Sequence, residues 1–410
     1  MLTALEKQLV GVRRQSAMNW GLIAVLVGVF ATGFLLSRAP GENLYLLQAQ
    51  AWLRGTWALD VPAHDVAIVG GRAMVPFPPF PSVLLLPWAL AGGAHGIASK
   101  ITSSVLAVLA AALVFRIVRR EGASPIVERA MVTAMLMGTC FWSAVLWSNG
   151  VWFFAHVVAF TASLLALDEA GGRARGPLLG AWLGVAFLSR QLALYGLPVL
   201  LAVLWVRRGA INPRSRSAHL LGATATFGVC VGLYLVINQL RFGNPLETGY
   251  SAIPLDGHLA ARVSRYGLFN VAYVPFNAIY MFFQGPSFVF AGDRMLRPVG
   301  LDAMGTSLTF ASPFVFLALL GPNRDWVRAG SLVSAGLALG HMLLYYNNGW
   351  VQLGGQRFTL DFLPWLLPLI ARGAVRVGRR ATVALAAWSV GWNVFAIVAL
   401  PMISRLLRSI

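Results

Sequence analysis

Long apolar runs recur along the whole 410-residue chain and predict a bundle of membrane-spanning helices. A helix needs about 20 predominantly apolar residues to cross the hydrocarbon core of a bilayer, and about eleven runs are of this kind. The predicted spans are residues 20–36, 98–118, 127–146, 151–167, 177–189, 193–206, 217–239, 306–321, 327–346, 359–371 and 381–402. No stretch between them is long enough for an independent soluble domain, so we interpret residues 1–410 as a single all-α transmembrane domain.

Positive charges between the apolar runs predict the orientation of the helices, because Lys and Arg collect in cytoplasmic connections. Alternate connections carry such residues: Lys7, Arg13, Arg14, Arg119, Arg120, Arg129, Arg173, Arg175, Arg207, Arg208, Arg214, Arg216, Arg324, Arg328, Arg372, Arg376, Arg379 and Arg380. The sequence therefore predicts a multi-pass protein of the bacterial inner (plasma) membrane, with a cytoplasmic N-terminus and an external, periplasmic C-terminus. No small-residue cleavage site follows the first apolar run, so we expect a retained span and not a signal peptide.

Two long connections fall on the predicted external side, and we call residues 38–97 the first loop and residues 240–305 the second loop. The run from Phe80 to Gly93 is apolar but broken by proline. Counting it as a full span would place Arg119 and Arg120 outside, so it is predicted to be an interfacial or re-entrant helix. Both loops are richer in polar and aromatic residues than a tether requires, and function is expected there.

Composition excludes a soluble protein, since 58% of the residues are hydrophobic, 11% are charged and the mean hydropathy is +0.71. The net charge of +18 does not indicate nucleic-acid binding, because the basic residues lie in short clusters between apolar runs and not on one face. Cys140 and Cys230 lie inside apolar runs without ligand-like spacing. Neither a disulfide framework nor a metal site is indicated.

The first loop begins with a carboxylate, Glu42, at the exit of the first predicted span. From Pro40 to Gly55 the apolar residues recur at three- and four-residue spacing, which predicts a short amphipathic helix in the headgroup plane. Partial desolvation would raise the pKa of Glu42 towards that of a general base. The alternative is a glutamate that merely favours a helix start. The stiff segment 75–81 that follows either walls a cavity or is tucked against the bilayer.

The second loop contains Arg262, Arg265 and Tyr273. Arginine offers a bidentate fork for phosphate and tyrosine settles at the membrane interface, so the group suits an anionic, amphipathic ligand. Ordinary interfacial anchoring is the alternative for each residue.

The last predicted external connection contains Gln352, Arg357 and Asp361. Arg357 and Asp361 are four residues apart and would share a helical face, which indicates either a functional pair or a structural ion pair. Arg190, a full charge at the external end of the fifth predicted span, raises the same two alternatives. His156 lies in an apolar run, where packing is the more ordinary role of a histidine.

At these residues the sequence resembles the GT-C superfamily of membrane glycosyltransferases, which use polyprenyl-phosphate-linked sugars, and the likeness covers most of the chain. Similar bacterial proteins have an acidic residue just after the first span, an interfacial helix, and a Phe-Pro-Pro segment leading into a second interfacial helix. Here these are Glu42, the stretch through Gly55, and Phe77-Pro78-Pro79. The segments 238–245 and 349–361 also look like recurrent pieces of such proteins.

The resemblance implies a bundle of about eleven to thirteen spans with a catalytic cavity between the first loop and the bundle. It also implies that Glu42 takes the position of the family's catalytic carboxylate, usually an aspartate. Only Asn43 stands beside Glu42, in place of a paired acid, so dependence on a divalent metal stays open and no metal ligand is assigned. The fifth span ends in Ser189-Arg190-Gln191, where similar proteins often continue with proline, which puts sugar-donor contacts there in doubt.

The implied reaction is an inverting transfer of a hexosyl or pentosyl group. Glu42 would take a proton from an acceptor hydroxyl on a glycan, lipid or protein, and Arg262, Arg265 and Arg357 would stabilise the leaving phosphate. No redox cofactor is required. The alternatives are a secondary transporter or lipid flippase, and a catalytically inactive scaffold of the same fold. Transporters usually show internal repeats and ionisable groups near mid-membrane, and neither is evident in this sequence.

Overall fold

The computed structural model of the protein describes residues 43–60, 63–92, 97–206, 213–321, 325–349, 352 and 354–407. The predicted first span, the N-terminal charges and Glu42 lie outside these residues. The helices up to residue 242 are α1 (Leu44–Leu53), α2 (Phe80–Leu90), α3 (Ala98–Arg120), α4 (Pro125–Met137), α5 (Cys140–Leu146), α6 (Val151–Gly171), α7 (Gly176–Phe187), α8 (Leu197–Val206) and α9 (Pro213–Phe242). Those that follow are α10 (Gly257–Tyr266), α11 (Val274–Ala278), α12 (Leu308–Ala311), α13 (Trp326–Leu344), α14 (Leu363–Val394) and α15 (Leu400–Leu406).

Short turns of other helix types connect several of these elements. The 3₁₀ segments are Gln191–Gly196, Tyr250–Ala252, Val271–Tyr273, Pro313–Leu320 and Arg357–Asp361, and the π-helical ones are Ile279–Phe283 and Phe395–Ala399. Each loop also carries one antiparallel hairpin. The strands are β1 (Ala67–Val69), β2 (Arg72–Met74), β3 (Phe288–Ala291) and β4 (Arg297–Leu301). Gly70 and Gly71 both have positive φ, as a two-residue hairpin turn requires.

Among the described residues, five helical stretches are long and apolar enough to cross a membrane: Ala98–Arg120, Val151–Gly171, Ser217–Phe242, Trp326–Leu344 and Leu363–Leu406. The pair α4 and α5, bent by 53°, makes a sixth if it is one broken span. Shorter apolar helices cover Phe80–Leu90, Gly176–Phe187, Gln191–Val206 and Val271–Phe283. The chain is therefore a multi-pass, all-α membrane protein, as predicted, while the count of eleven spans stays a prediction.

The stretch from Leu363 to Leu406 folds back on itself at Gly378. Its 44 residues would reach about 66 Å as one straight helix, twice the thickness of the hydrocarbon core. Gly378 has φ 81° and ψ 173°, which no helix accommodates. Beyond it, the Trp392 indole nitrogen donates to the carbonyl of Gly354, 2.5 Å away, so the chain has returned to the level of residues that precede α14. The two predicted spans 359–371 and 381–402 therefore correspond to two antiparallel arms.

Two predicted elements differ in detail from the sequence interpretation. The helix predicted for residues 40–55 is present as α1, but it is not amphipathic, because its residues from Leu44 to Ala49 are all buried. The predicted span 306–321 is broken: α12 ends at Ala311, Ser312 leaves the helical region, and a 3₁₀ segment begins at Pro313. Proline supplies no backbone N–H and disfavours a helical residue before it, which explains the break.

One end of the bundle collects ion pairs between basic and acidic side chains of different connections. The Arg372 guanidinium bonds to Glu121, with Nε 2.6 Å from Oε2, and also to Asp325. At the same end Arg120 Nη2 lies 2.9 Å from Asp168 Oδ1. The charge pattern assigned both arginines to connections on the same side of the membrane. The structure places both at the same end of the bundle, which agrees with that assignment.

Helices α7 and α9 pack at unusually close range through a row of glycines. Gly176, Gly180 and Gly184 are spaced four residues apart and face α9. A Cβ atom on Gly180 would lie 2.2 Å from the carbonyl oxygen of Ala223, and one on Gly184 would lie 2.3 Å from the sulfur of Cys230. Small residues at this spacing let two membrane helices approach backbone to backbone, where van der Waals contact replaces the hydrophobic driving force that lipid does not supply.

We expect Gly180→Ala to lower the free energy of unfolding by about 1–3 kcal/mol, because the added methyl group forces the two helices apart. Thermal unfolding of the purified protein in detergent measures the effect. The matched control is Gly228→Ala on α9, where an added Cβ meets nothing within 4 Å. A Gly180→Ala protein as stable as the Gly228→Ala protein would contradict the close packing.

Candidate functional site

A cavity of about 730 Å³ lies between the first loop, the start of α6, the α7–α8 junction, α10 and the segment 341–358. Its polar lining includes His64, Asp65, Arg190, His341 and Arg357. Another part of the wall is apolar and includes Ile253, Leu255, Leu259, Phe269 and Met342. A pocket of this size with few polar groups on an apolar wall is typical of a small-molecule or lipid-headgroup site.

Arg190 and Asp361 form a buried bidentate ion pair beside the cavity. Arg190 Nε lies 2.8 Å from Asp361 Oδ1, and Nη2 lies 2.6 Å from Oδ2. The Asp361 side chain is 2% exposed and that of Arg190 is 11% exposed. Burial by itself would raise the pKa of Asp361, but the charge of Arg190 holds it well below its ordinary value.

His156 on α6 completes this group. Its Nδ1 lies 2.7 Å from the carbonyl oxygen of Trp152, so Nδ1 carries a proton, because a carbonyl only accepts. Its Nε2 lies 3.5 Å from Asp361 Oδ2, and the imidazole is fully buried. The sequence favoured a packed role for His156, and the structure adds that this packing is against Asp361.

Arg357 lines the cavity next to this ion pair. The Arg357 guanidinium lies over the Phe153 ring, 4.6 Å from its centroid. Burial and the neighbouring charge of Arg190 lower the pKa of Arg357 to about 10, while Asp361 and Asp65 act in the opposite direction. Arg357 is therefore still a cation at neutral pH. Arg357 and Asp361 were expected to share one face of an α-helix. In the structure residues Arg357–Asp361 form a 3₁₀ turn, and Asp361 forms its ion pair with Arg190.

Gln352 sets the backbone of this turn. Its side-chain nitrogen donates to the carbonyl of Asn348 at 2.6 Å and to the Gln356 side chain at 2.8 Å, while its oxygen accepts the backbone N–H of Arg357. Gln352 is 2% exposed and is not part of the cavity lining. It therefore contacts Arg357 within the protein, and the substrate contact predicted for it stays a prediction.

The first loop is fastened to the bundle at several points. Asn43 caps α1 by accepting from the backbone N–H of Tyr45 at 2.9 Å, and its side-chain nitrogen donates to the carbonyl of Ser148 at 2.8 Å. Arg241 Nη1 donates to the carbonyls of Val75 and Phe77 at 2.7 and 3.0 Å. These bonds fasten the Phe-Pro-Pro segment to the bundle, but none of its residues is among those that line the cavity, so both alternatives for it stay open.

Asp65 is a cavity residue that the sequence interpretation missed. It has φ 62°, a left-handed conformation, and its Oδ2 accepts a hydrogen bond from the Trp152 indole nitrogen at 2.9 Å. Trp152 is held in turn by the Phe77 ring, with centroids 4.1 Å apart. The only local signal was the first loop's excess of polar and aromatic residues, which does not single out one aspartate.

The three second-loop residues that the sequence singled out lie outside the cavity lining, although other residues of that loop form part of it. Arg262 Nη1 donates to the carbonyl of Tyr346 at 3.0 Å, and the Tyr273 hydroxyl lies 2.7 Å from the carbonyl of Gly267. Arg265 is exposed and lies over the Tyr266 ring. None of the three is among the residues described as lining the cavity. The structure therefore joins Arg190, Arg357 and Asp361, but it does not bring Arg262, Arg265 and Tyr273 into the same cavity wall.

In the described part of the chain, no three His, Cys, Asp or Glu side chains are placed to hold a metal ion together.

We expect Asp361→Asn to lower the free energy of unfolding by about 3–5 kcal/mol, because it leaves the buried Arg190 charge without its counterion. Since the pKa of Asp361 is depressed, its stabilising effect is complete above the ordinary carboxyl pKa of about 4 and is lost as pH falls through the depressed value. Denaturation from neutral to acidic pH measures both. The control Asp60→Asn removes an exposed pair with Arg54 and should cost under about 1 kcal/mol; equal losses would refute the assignment.

No sequence-family model matches the chain, and no curated protein matches it in sequence. Its structure is similar to ArnT from Cupriavidus metallidurans in the apo state, with a TM-score of 0.55 and 13% identity, covering 90% of this chain and 62% of ArnT. The structure of ArnT bound to undecaprenyl phosphate has a TM-score of 0.51 and 14% identity, and the match covers 94% of this chain and 71% of ArnT. The Archaeoglobus fulgidus oligosaccharyltransferase in the apo form has a TM-score of 0.52 and 13% identity, and the match covers 94% of this chain and 56% of the oligosaccharyltransferase. The chain therefore shares its fold with ArnT and the oligosaccharyltransferase, and it spans less than two thirds of the length of apo ArnT.

Proposed function

We propose that this protein is a membrane glycosyltransferase, which moves a sugar from a polyprenyl-phosphate donor to an acceptor hydroxyl at the external face of the bacterial inner membrane. The observation that carries the proposal is a cavity lined by two arginines, Arg190 and Arg357, in a fold shared with ArnT. Arg190, Arg357 and Asp361 form a cluster with a net charge of +1, although the cavity lining also contains Asp65 and Asp256. A phosphate complements this cluster locally, and in a largely apolar cavity each such interaction is stronger than in solution.

The cavity has a basic part and an apolar part, and together they suggest the class of ligand. A guanidinium group suits a phosphate, and the apolar residues near α10 and Met342 suit the first isoprenyl units of a lipid carrier. The similar fold of ArnT, in a structure with undecaprenyl phosphate bound, supports a carrier of this class. Arg120 and Arg372 belong to connections predicted to be cytoplasmic, and they form ion pairs at the same end of the bundle. Residues 354–361 precede the first arm of α14, at its opposite end from Arg372, which supports an external position for them.

In the proposed reaction, Glu42 accepts the proton of the acceptor hydroxyl while the acceptor oxygen attacks the anomeric carbon. The bond between that carbon and the phosphate oxygen breaks, its electron pair stays on the phosphate, and polyprenyl phosphate leaves with inversion at carbon. Arg357, supported by the Arg190–Asp361 pair, stabilises the negative charge on the leaving phosphate by about 3 kcal/mol.

We expect Glu42→Gln to abolish sugar transfer, because an amide cannot accept the proton, while membrane insertion and folding are unchanged. Release of polyprenyl phosphate from a panel of polyprenyl-phosphate sugars, with acceptor glycans, lipids and peptides, measures the reaction. Glu247→Gln is the matched control, since Glu247 in the second loop bonds only to local groups such as the backbone N–H of Gly249. Wild-type turnover by the Glu42→Gln protein would remove Glu42 from the mechanism.

We expect Arg357→Gln to weaken binding of polyprenyl phosphate by about 10- to 100-fold, because a charged hydrogen bond to phosphate is lost. Lipid titration of the purified protein measures it, and Arg54→Gln, in an exposed pair with Asp60, is the control. Arg265→Gln serves as a rival variant. If it weakens binding and Arg357→Gln does not, the phosphate site lies at α10 and the present assignment fails.

A further inference from the structure

Asp65 is held as an ordered carboxylate at the cavity wall. Asp65 has a left-handed backbone conformation and lines the cavity, two residues before β1 begins at the buried Ala67. Asparagine and aspartate are the non-glycine residues that adopt this conformation most readily. One carboxylate oxygen is fixed by the Trp152 indole N–H, and Trp152 is itself wedged against Phe77 and Tyr250.

The second carboxylate oxygen is available to a ligand. Oδ1 lies 3.7 Å from Nε2 of His64, whose side chain is 94% exposed, while the Asp65 side chain is 29% exposed. Within the described residues, no arginine or lysine forms an ion pair with Asp65, in contrast to Asp361. The Trp152 indole is neutral, so Asp65 presents a negative charge and acceptor lone pairs to the cavity, where the only described arginine seen to respond to that charge, Arg357, acts on it without a direct ion pair.

A carboxylate repels phosphate, so Asp65 and Arg357 must serve different parts of one ligand. Carboxylate oxygens are pure acceptors and bind hydroxyl groups, the feature that a sugar offers and a polyprenyl phosphate lacks. Trp152 and Phe153 also line this part of the cavity and offer apolar ring faces to the C–H surface of a pyranose or furanose. Polar groups of this kind set orientation and specificity in an otherwise apolar pocket.

We propose that Asp65 binds hydroxyl groups of the donor sugar and thereby orients its anomeric carbon, while Arg357 and Arg190 hold the phosphate. Trp152 is a positioning residue that orients the carboxylate. This inference rests on the proposed function and adds the sugar subsite to it.

The test compares two ligands, polyprenyl phosphate and polyprenyl-phosphate sugars, on the full-length protein in the absence of acceptor. Asp65→Asn keeps the backbone conformation, and its amide oxygen can still accept from Trp152, so folding should be intact. We expect this variant to bind the sugar-bearing donors about 10- to 100-fold more weakly while its affinity for polyprenyl phosphate changes less than about twofold. Trp152→Phe should shift donor binding in the same direction. Asp60→Asn, in the same loop but in an exposed pair with Arg54, is the matched control and should bind both ligands like the wild type.

Three results would overturn the sugar subsite. Asp65→Asn could weaken both ligands equally, it could bind every sugar donor as the wild type does, or it could change only the KM for the acceptor. These failures are distinguishable from failure of the proposed function, in which the wild-type protein binds no polyprenyl phosphate and releases none from any donor.

Discussion

The ion pair between Arg190 and Asp361 fixes the relative positions of two distant segments of the chain beside the cavity. Both groups are withdrawn from water inside a largely apolar bundle, where an unpaired ion is costly and a well-bonded pair is tolerated. The two residues are 171 positions apart, so their bidentate contact ties the α7–α8 junction to the turn that precedes α14. His156 packs against Asp361, and Arg357 lies next to the ion pair. Because Asp361 neutralises one of the two arginines, this cluster has a net charge of +1.

The first loop is rigid for a related reason. Backbone N–H and C=O groups near a membrane lack the water that would satisfy them elsewhere, so they must be bonded within the protein. Arg241 satisfies the carbonyls of Val75 and Phe77, and the N–H of Phe80 donates to the carbonyl of Leu188. These bonds hold the proline-rich segment against the bundle, and Trp152 holds Asp65 beside it. Because Trp152 fixes one of its oxygens, the Asp65 carboxylate faces the cavity with no arginine or lysine of the described residues paired to it.

The second loop forms part of the cavity wall and also holds a neighbouring wall segment in place. The Asn277 side-chain nitrogen donates to the carbonyls of Leu343 and Tyr345 at 2.9 and 2.8 Å, which satisfies the end of α13, and Arg262 does the same for Tyr346. Tyr345 and Tyr346 line the cavity on their other side. The second loop thereby positions part of the cavity wall, while Arg262 and Tyr273 form their hydrogen bonds within the protein.

What the sequence determined by itself is local: apolar runs of helical length, arginine clusters at alternate ends, and the resemblance around Glu42 and the Phe-Pro-Pro segment. These depend on neighbouring residues along the chain, so period and charge suffice to predict them. Only the tertiary structure decided that Asp361 bonds to Arg190 in place of Arg357, that Asp65 reaches the cavity, and that Gly180 packs on Ala223. The physical reason is that desolvation makes every buried charge and close contact depend on a partner brought near by packing, and that partner is distant in the chain.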